Sequence, residues 1–129
     1  MRRIEKMERR YSESHEWVET LENGNVRIGI TDYAQNEMGD IVFVNLPAVG
    51  DSVTMEETFA DMESVKAVSD VFSPVTGVVT AVNEELLDNP AEINEDPYGA
   101  WFVEVGEVAE TAELMDEDEY KDFCAREKA

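Results

Sequence analysis

At 129 residues the chain is the size of one domain and can bury roughly two thirds of its unfolded surface. Hydrophobic residues make up 43% and charged residues 32%, enough to build a core and too apolar for wholesale disorder. Thirty-one acidic side chains against ten basic ones leave a formal charge of -21, which repels nucleic-acid phosphates and anionic membranes alike. Three uses fit that acidity: a solvated surface, life at high salt where screening relieves self-repulsion, or a face that meets basic clefts on partner enzymes.

The chain opens on MRRIEKMERR (1–10), basic but interrupted by Glu5 and Glu8, with no apolar stretch behind it. That is neither a secretory signal nor a usual presequence, and no run approaches the length of a membrane span. The expectation is a cytoplasmic monomer with a ragged arm over 1–10 and one domain over 11–129. WVETL (17–21) and VRIGI (26–30) then alternate apolar and polar around Asn23-Gly24, a hairpin signal. TDYAQNEMG (31–39) reads as a short helix, capped by Thr31 or Asp32 and ended by Gly39. IVFVNL (41–46) is nearly all apolar and β-branched, which predicts a strand buried on both faces.

LPAVGDSV (46–53) and SPVTGVVTAV (73–82) echo one another, each with Pro, a spacer, Gly and then valine. They suggest a barrel or sandwich of two related halves around 58–72. Within that interval TFADMESV (58–65) and AVSDVF (67–72) can pair as a hairpin, although neither Asn-Gly nor Asp-Gly is there to turn it. Residues 84–101 are turn-rich, with Pro90 and Pro97 blocking any long helix. WFVEV (101–105) is a last strand, and Leu114, Met115, Tyr120 and Phe123 have the spacing of an amphipathic helix over about 111–128, with a break near Asp116 to Asp118. Cys124 reads as a packing residue, His15 as a structural residue beside Trp17, and Tyr33, Phe43 and Trp101 as core or sheet-edge packing. Gly29, Gly39, Gly50 and Gly77 read as positions where the backbone needs glycine.

Cys124 and His15 are the only residues of their kinds, so disulfides, thiol pairs, cysteine zinc clusters and most histidine chemistry are missing. Lys66 stands out instead: no other lysine or arginine lies between Arg27 and Lys121. It is either an ordinary surface lysine paired with Glu63 or Asp70, or an amine displayed on a turn for another enzyme to acylate, with Ser64 and Ala67 leaving room around it. A Schiff-base lysine would need a lowered pKa, and acidic neighbours act the other way. Carboxylate pairs drawn from Glu56, Glu57 and Asp61 could suggest a small hydrolase, but no nucleophile or metal set accompanies them. An acidic mimic of nucleic acid has no use for an isolated lysine.

Eight blocks in order decide among these: SHEWV (14–18), GITDYAQ (29–35), GDIVFVNLP (39–47), ESVKA (63–67) followed by Ser69 and Asp70, SPVTG (73–77), VN (82–83), PY (97–98), and Leu114-Met115 with Tyr120 and Phe123. From about Tyr11 to Phe123 the chain resembles the H protein of the glycine cleavage system. The resemblance implies a mainly β, lipoyl-type flattened barrel (a barrel-sandwich hybrid) of two small antiparallel sheets, with short helices and a C-terminal helix. It implies lipoic acid in amide linkage to Lys66, within the attachment motif Glu63, Ser64, Val65 and Ala67. It further implies a shuttling, non-catalytic carrier in glycine catabolism. The arm takes an aminomethyl group from glycine at glycine decarboxylase (P protein) and hands the one-carbon unit over at aminomethyltransferase (T protein). It is then reoxidised by dihydrolipoamide dehydrogenase (L protein). A lipoate ligase or an octanoyl or lipoyl transferase would load it.

By the same resemblance Ser14, Glu16 and Asp70 fall where the loaded arm rests in a cleft; the alternative is that they serve a strand start and a hairpin rim. Biotin carriers usually flank the lysine with Met, and lipoyl domains of 2-oxoacid dehydrogenases are shorter and lack the HEW and GITDYAQ blocks. A lipoyl relay that donates its group to those domains would use the same lysine motif. Two departures stand out. PYGAW (97–101) is shorter than the family's approach to Trp, so the turn into the last strand is expected to be tight. Glu37 occupies a place where plant-like members have histidine.

Overall fold

The structure is a computed structural model and describes residues 8–128, so most of the arm (1–7) lies outside the described residues. Among the described residues, nine strands run β1 (Arg9–Tyr11), β2 (Glu16–Thr20), β3 (Val26–Ile30), β4 (Ile41–Asn45), β5 (Ser52–Val53), β6 (Thr58–Ser64), β7 (Val68–Phe72), β8 (Val75–Val82) and β9 (Val103–Thr111). Four helices interrupt them: α1 (Asp32–Met38), α2 (Glu85–Asp88), α3 (Glu92–Glu95) and α4 (Glu117–Lys128). The strands form a six-stranded sheet ordered β1-β2-β3-β9-β8-β5 and a three-stranded sheet ordered β4-β6-β7, with every pairing antiparallel. Val18, Ile28, Val75, Val79, Val103 and Val105 from the first sheet pack with Val44, Ala60, Met62 and Val71 from the second in one core. Among the described residues no helix is long and apolar enough to cross a membrane.

Local chemistry explains several of these elements. Gly24 has φ 91 in the β2–β3 turn, the left-handed geometry that Asn-Gly turns supply. The N-cap Thr31 accepts a hydrogen bond from the Ala34 amide, and Gly39 ends α1 with its N–H donated to the Gln35 carbonyl. Gly29 has a different reason: a Cβ there would sit 2.6 Å from the Trp17 indole, so the strand must be bare for Trp17 to cross it. The echo found in the sequence becomes a pairing, with Ser52 opposite Val78 and Val53 opposite Gly77. Where prolines break the chain, Leu86 on α2 and Ile93 on α3 are fully buried. Each such side chain contributes about 1.5–3 kcal/mol, which anchors helices too short to stand alone.

Several expectations are corrected. β4 is not buried on both faces: Val42 and Phe43 are 54% and 50% exposed. The cause is a bulge between Ile41 and Phe43, where two residues oppose one on β6 and the strand's alternation slips. Phe43 is therefore a surface residue and not a packing one. Arg9 and Arg10, assigned to the arm, pair with Glu19 and Val18 as part of β1. The last strand starts at Val103 and runs on to Thr111, into the segment expected to be helical. Helix α4 starts only at Glu117, because Asp116 and Glu119 exchange backbone-to-carboxylate hydrogen bonds of 2.8 and 3.0 Å in a capping box. PYGAW forms the tight turn expected, with the Gly99 and Ala100 amides both donating to the Asp96 carbonyl.

A second, aromatic cluster fastens α4 to the sheet: Tyr11 and Tyr120 stack at 4.6 Å and share the cluster with the buried Trp17. His15 joins this cluster, but its ring packs against Tyr33 at 4.6 Å and near Tyr120 and Phe123, not against Trp17. Its Nδ1 lies 2.6 Å from the Tyr120 hydroxyl and its Nε2 2.9 Å from Glu127. The backbone of His15 is left-handed at φ 74, an uncommon state for a side-chain-bearing residue, and it turns the chain between Ser14 and Glu16.

Candidate functional site

The β6–β7 hairpin carries Val65 and Lys66 at its tip, both exposed. A two-residue turn usually needs positive φ, which none of Val65, Lys66 and Ala67 adopts. Ser64 supplies the missing turn chemistry. Its Oγ accepts from the amides of Lys66 (3.1 Å) and Ala67 (3.0 Å), while its own N–H donates to the Ala67 carbonyl at 2.8 Å. The Val65 amide donates to the Asp40 carbonyl at 3.0 Å, which ties the tip to the end of α1. The turn thus stands on Ser64 and the backbone and asks nothing of the lysine side chain.

Ser64→Ala is expected to loosen this tip while leaving Lys66 in place. Two amides lose their acceptor at an exposed site, a cost of about 1 kcal/mol. Amide hydrogen exchange at Lys66 and Ala67 should rise several-fold by NMR, with Tm lower by about 3–5 °C; unchanged exchange at both amides would contradict this role for Ser64.

The Lys66 methylenes lie across Gly39, where a Cβ would come within 3.3 Å of Cε. What requires glycine at this position is the backbone, at φ 82; the exposed lysine side chain can shift by a few tenths of an ångström to make room for a Cβ. Among the described residues the Lys66 amine has neither hydrogen bond nor ion pair, so the pairing with Glu63 or Asp70, one of the two readings of this lysine, is not made.

Beside Met38, the residue before Gly39, opens a cavity of about 290 Å³ whose lining includes Ser14, Glu16 and Asp70. The structure therefore brings together the three residues singled out in the sequence. It adds ones the sequence did not single out for the site, notably Tyr33, Ser69 and Glu127, over an apolar floor of Ile30, Met38 and Met62. Glu37 lines it as well, in the place of the plant-like histidine. A larger cavity of about 550 Å³ also has Ser14 and Glu16 in its lining.

Glu16 lines both cavities. It is 2% exposed, and its Oε1 accepts from the hydroxyls of Ser12 and Ser14, each at 2.6 Å. Its Oε2 accepts from the Phe72 amide at 3.1 Å, so one carboxylate bridges the large sheet and the hairpin's descending strand. Burial pushes its pKa above the ordinary range, opposed by these hydrogen bonds. Ser12, found through this contact, had no signal in the sequence beyond its place two residues before Ser14.

Two unequal antiparallel sheets closed on one core, with a free lysine on the hairpin of the smaller one, define a lipoyl-type barrel-sandwich protein. The family is equally plain: the chain belongs to the glycine cleavage H-protein family, whose model matches residues 9–127. Members of that family are carrier subunits rather than catalysts. The chain is 50% identical over 117 residues to the glycine cleavage system H protein of Lachnoclostridium phytofermentans, covering 91% of this chain and 92% of that one. To the Halalkalibacterium halodurans protein of the same name it is 54% identical over 123 residues, covering 93% and 95%. The crystal structure of a glycine cleavage system H protein from Mycobacterium marinum superposes with a TM-score of 0.84 at 36% identity, over 97% of this chain and all of that one.

Proposed function

We propose that this chain is the lipoyl carrier of glycine cleavage, with lipoic acid in amide linkage to Nζ of Lys66 and the arm's loaded end resting in the cavity lined by Ser14, Glu16 and Asp70. The observation that carries the reading is Lys66 itself: an exposed amine with no partner among the described residues, held out on a turn that Ser64 builds. The residues around it suit the group. Met38, Met62 and Ile30 offer apolar surface to a hydrocarbon chain, and Glu16 and Asp70 offer carboxylates to a cationic end.

When bound, the lipoyl disulfide would supply a reducible pair that takes up the aminomethyl group at P protein, yields its one-carbon unit at T protein and is reoxidised by L protein. The chain's own part is to display the amine, orient the arm through Gly39 and the α1 end, and shelter the loaded end from water. Glu63, Ser64, Val65 and Ala67 serve recognition of the attachment site. The test is to lipoylate the chain and supply P protein with glycine and labelled bicarbonate. Glycine carboxyl exchange that depends on the lipoylated chain is expected. A lipoylated chain that supports no exchange yet donates its lipoyl group to 2-oxoacid dehydrogenase domains would overturn the reading in favour of a relay.

A further inference from the structure

Seven large hydrophobic side chains are exposed among the described residues, and five of them, Val42, Phe43, Val65, Val68 and Phe72, belong to the small sheet or its tip. The register explains how four of these gather around Lys66. Phe43 pairs with Glu63 and Glu63 with Val68, so these three side chains form one row across the outer face of β4-β6-β7, next to the tip. The bulge between Ile41 and Phe43 leaves Val42 exposed beside Phe43, and Val65 completes the group at 70% exposure. The next row down is Asn45, Asp61 and Asp70, by the same register. An apolar patch thus borders the tip that carries Lys66, and a polar, carboxylate-bearing row borders the patch.

We propose that Val42, Phe43, Val65 and Val68 form the docking surface for the enzyme that acylates Lys66, a partner with an apolar shelf at its acyl-site mouth and Lys or Arg along the rim. The inference rests on the reading of Lys66 as the lipoyl-bearing residue and adds where its loading enzyme grips. Three features argue for this occupant. Any enzyme that acts on the Lys66 amine must bring its mouth to the hairpin tip, so these side chains fall inside its footprint. The amine makes no hydrogen bond or ion pair among the described residues, so no protein contact has to break before it attacks an acyl donor. And the row Asp61 and Asp70, with Glu63 within the patch, complements a basic rim, in a chain whose charge of -21 steers it toward one. In the reaction the neutral amine attacks the carbonyl of an activated acyl donor, a thioester or an acyl-adenylate. The N–C bond forms, the thiolate or AMP leaves with its electron pair, and one N–H proton is released.

The experiment uses the full chain and a purified lipoate-attaching enzyme, following the mass of the intact protein as its concentration is varied. Phe43→Ser/Val68→Ser is expected to lower kcat/KM about 10- to 100-fold, chiefly through KM, because truncating two central apolar contacts weakens docking on that scale. Both positions are at least half exposed, so Tm should hold. Val49→Ser, at a 64% exposed position outside the small sheet, should leave the reaction unchanged. Wild-type kcat/KM in the double variant, or an equal loss in Val49→Ser, overturns the docking surface while leaving the lipoyl reading intact. If the double variant unfolds, Val65→Ser on the turn gives the same test, and unchanged kcat/KM there overturns the proposal as well. A wild-type chain that gains no acyl group at Lys66 removes both.

Discussion

Lys66→Arg is expected to abolish the lipoyl-sized mass increment proposed for the wild-type chain expressed with lipoate, and to leave the fold as it was. Amide formation needs a neutral nitrogen nucleophile. A guanidinium gives up its proton at least about a hundredfold less readily than an alkylammonium and spreads its lone pair over three nitrogens. The side chain is exposed and makes no hydrogen bond or ion pair among the described residues, so nothing structural depends on it. The turn is held by the residue-66 amide and Ser64, both retained in the variant. Tm should stay within about 2 °C of wild type, by differential scanning calorimetry, while intact mass shows no acyl group and glycine exchange with P protein is lost. An increment that survives in the variant would place the modification elsewhere and remove Lys66 from the site.

The parts of this fold that were legible in the sequence are those whose causes are local. Asn23-Gly24, Thr31 with Gly39, and the valine-rich run of the β8 segment act through neighbours a few residues away, and the structure places elements where they point. The hairpin around Lys66 was also legible, but the reason it can turn was not. Ser64 reads as a small residue in the sequence, and its function as an acceptor for two amides depends on the turn already being formed. The exposure of Val42 and Phe43 was hidden for a different reason: an apolar run looks the same whether it is buried or bulged, and the bulge is set by how β4 meets β6. The start of α4 was within reach, since Asp116 and Glu119 stand at capping-box spacing. The partners of His15, by contrast, lie 105 and 112 residues away, and the Glu16 bond to β7 spans 56. Only the assembled sheets bring such groups together, which is why the motif blocks marked Ser14, Glu16 and Asp70 as a set while the chemistry joining them stayed out of sight.

Glu16 separates charge from packing in the cavity. Every hydrogen bond it accepts comes from a neutral donor, two hydroxyls and one amide, so its charge is solvated but not neutralised. That is the condition under which burial raises a carboxylate's pKa, and the one in which a cationic amine entering the cavity gains most. Glu16→Ala strands the Phe72 amide, because the two serines, 3.4 Å apart, can pair with each other but not with it. A stranded, partly buried amide costs about 1–2 kcal/mol, and Tm should fall by about 3–8 °C. Glu16→Gln can keep all three bonds, with its amide nitrogen toward the serine hydroxyls and its oxygen toward Phe72. Because the folded pKa of Glu16 is raised from 4.5, the stability linked to it is complete below that value and is lost as pH rises through the higher folded one. The Tm of Glu16→Gln relative to wild type should therefore be lowest at pH 4 and climb toward pH 7; a difference that stays flat across this range would mean that burial does not disfavour the charge. Loss of the aminomethyl group from isolated, loaded protein then tells which property the arm uses. If the carboxylate charge holds the amine, both variants release it faster than wild type at pH 7. If Glu16 only fills space, Glu16→Ala alone is fast and Glu16→Gln matches wild type, and an unchanged rate in both would take Glu16 out of the cleft altogether.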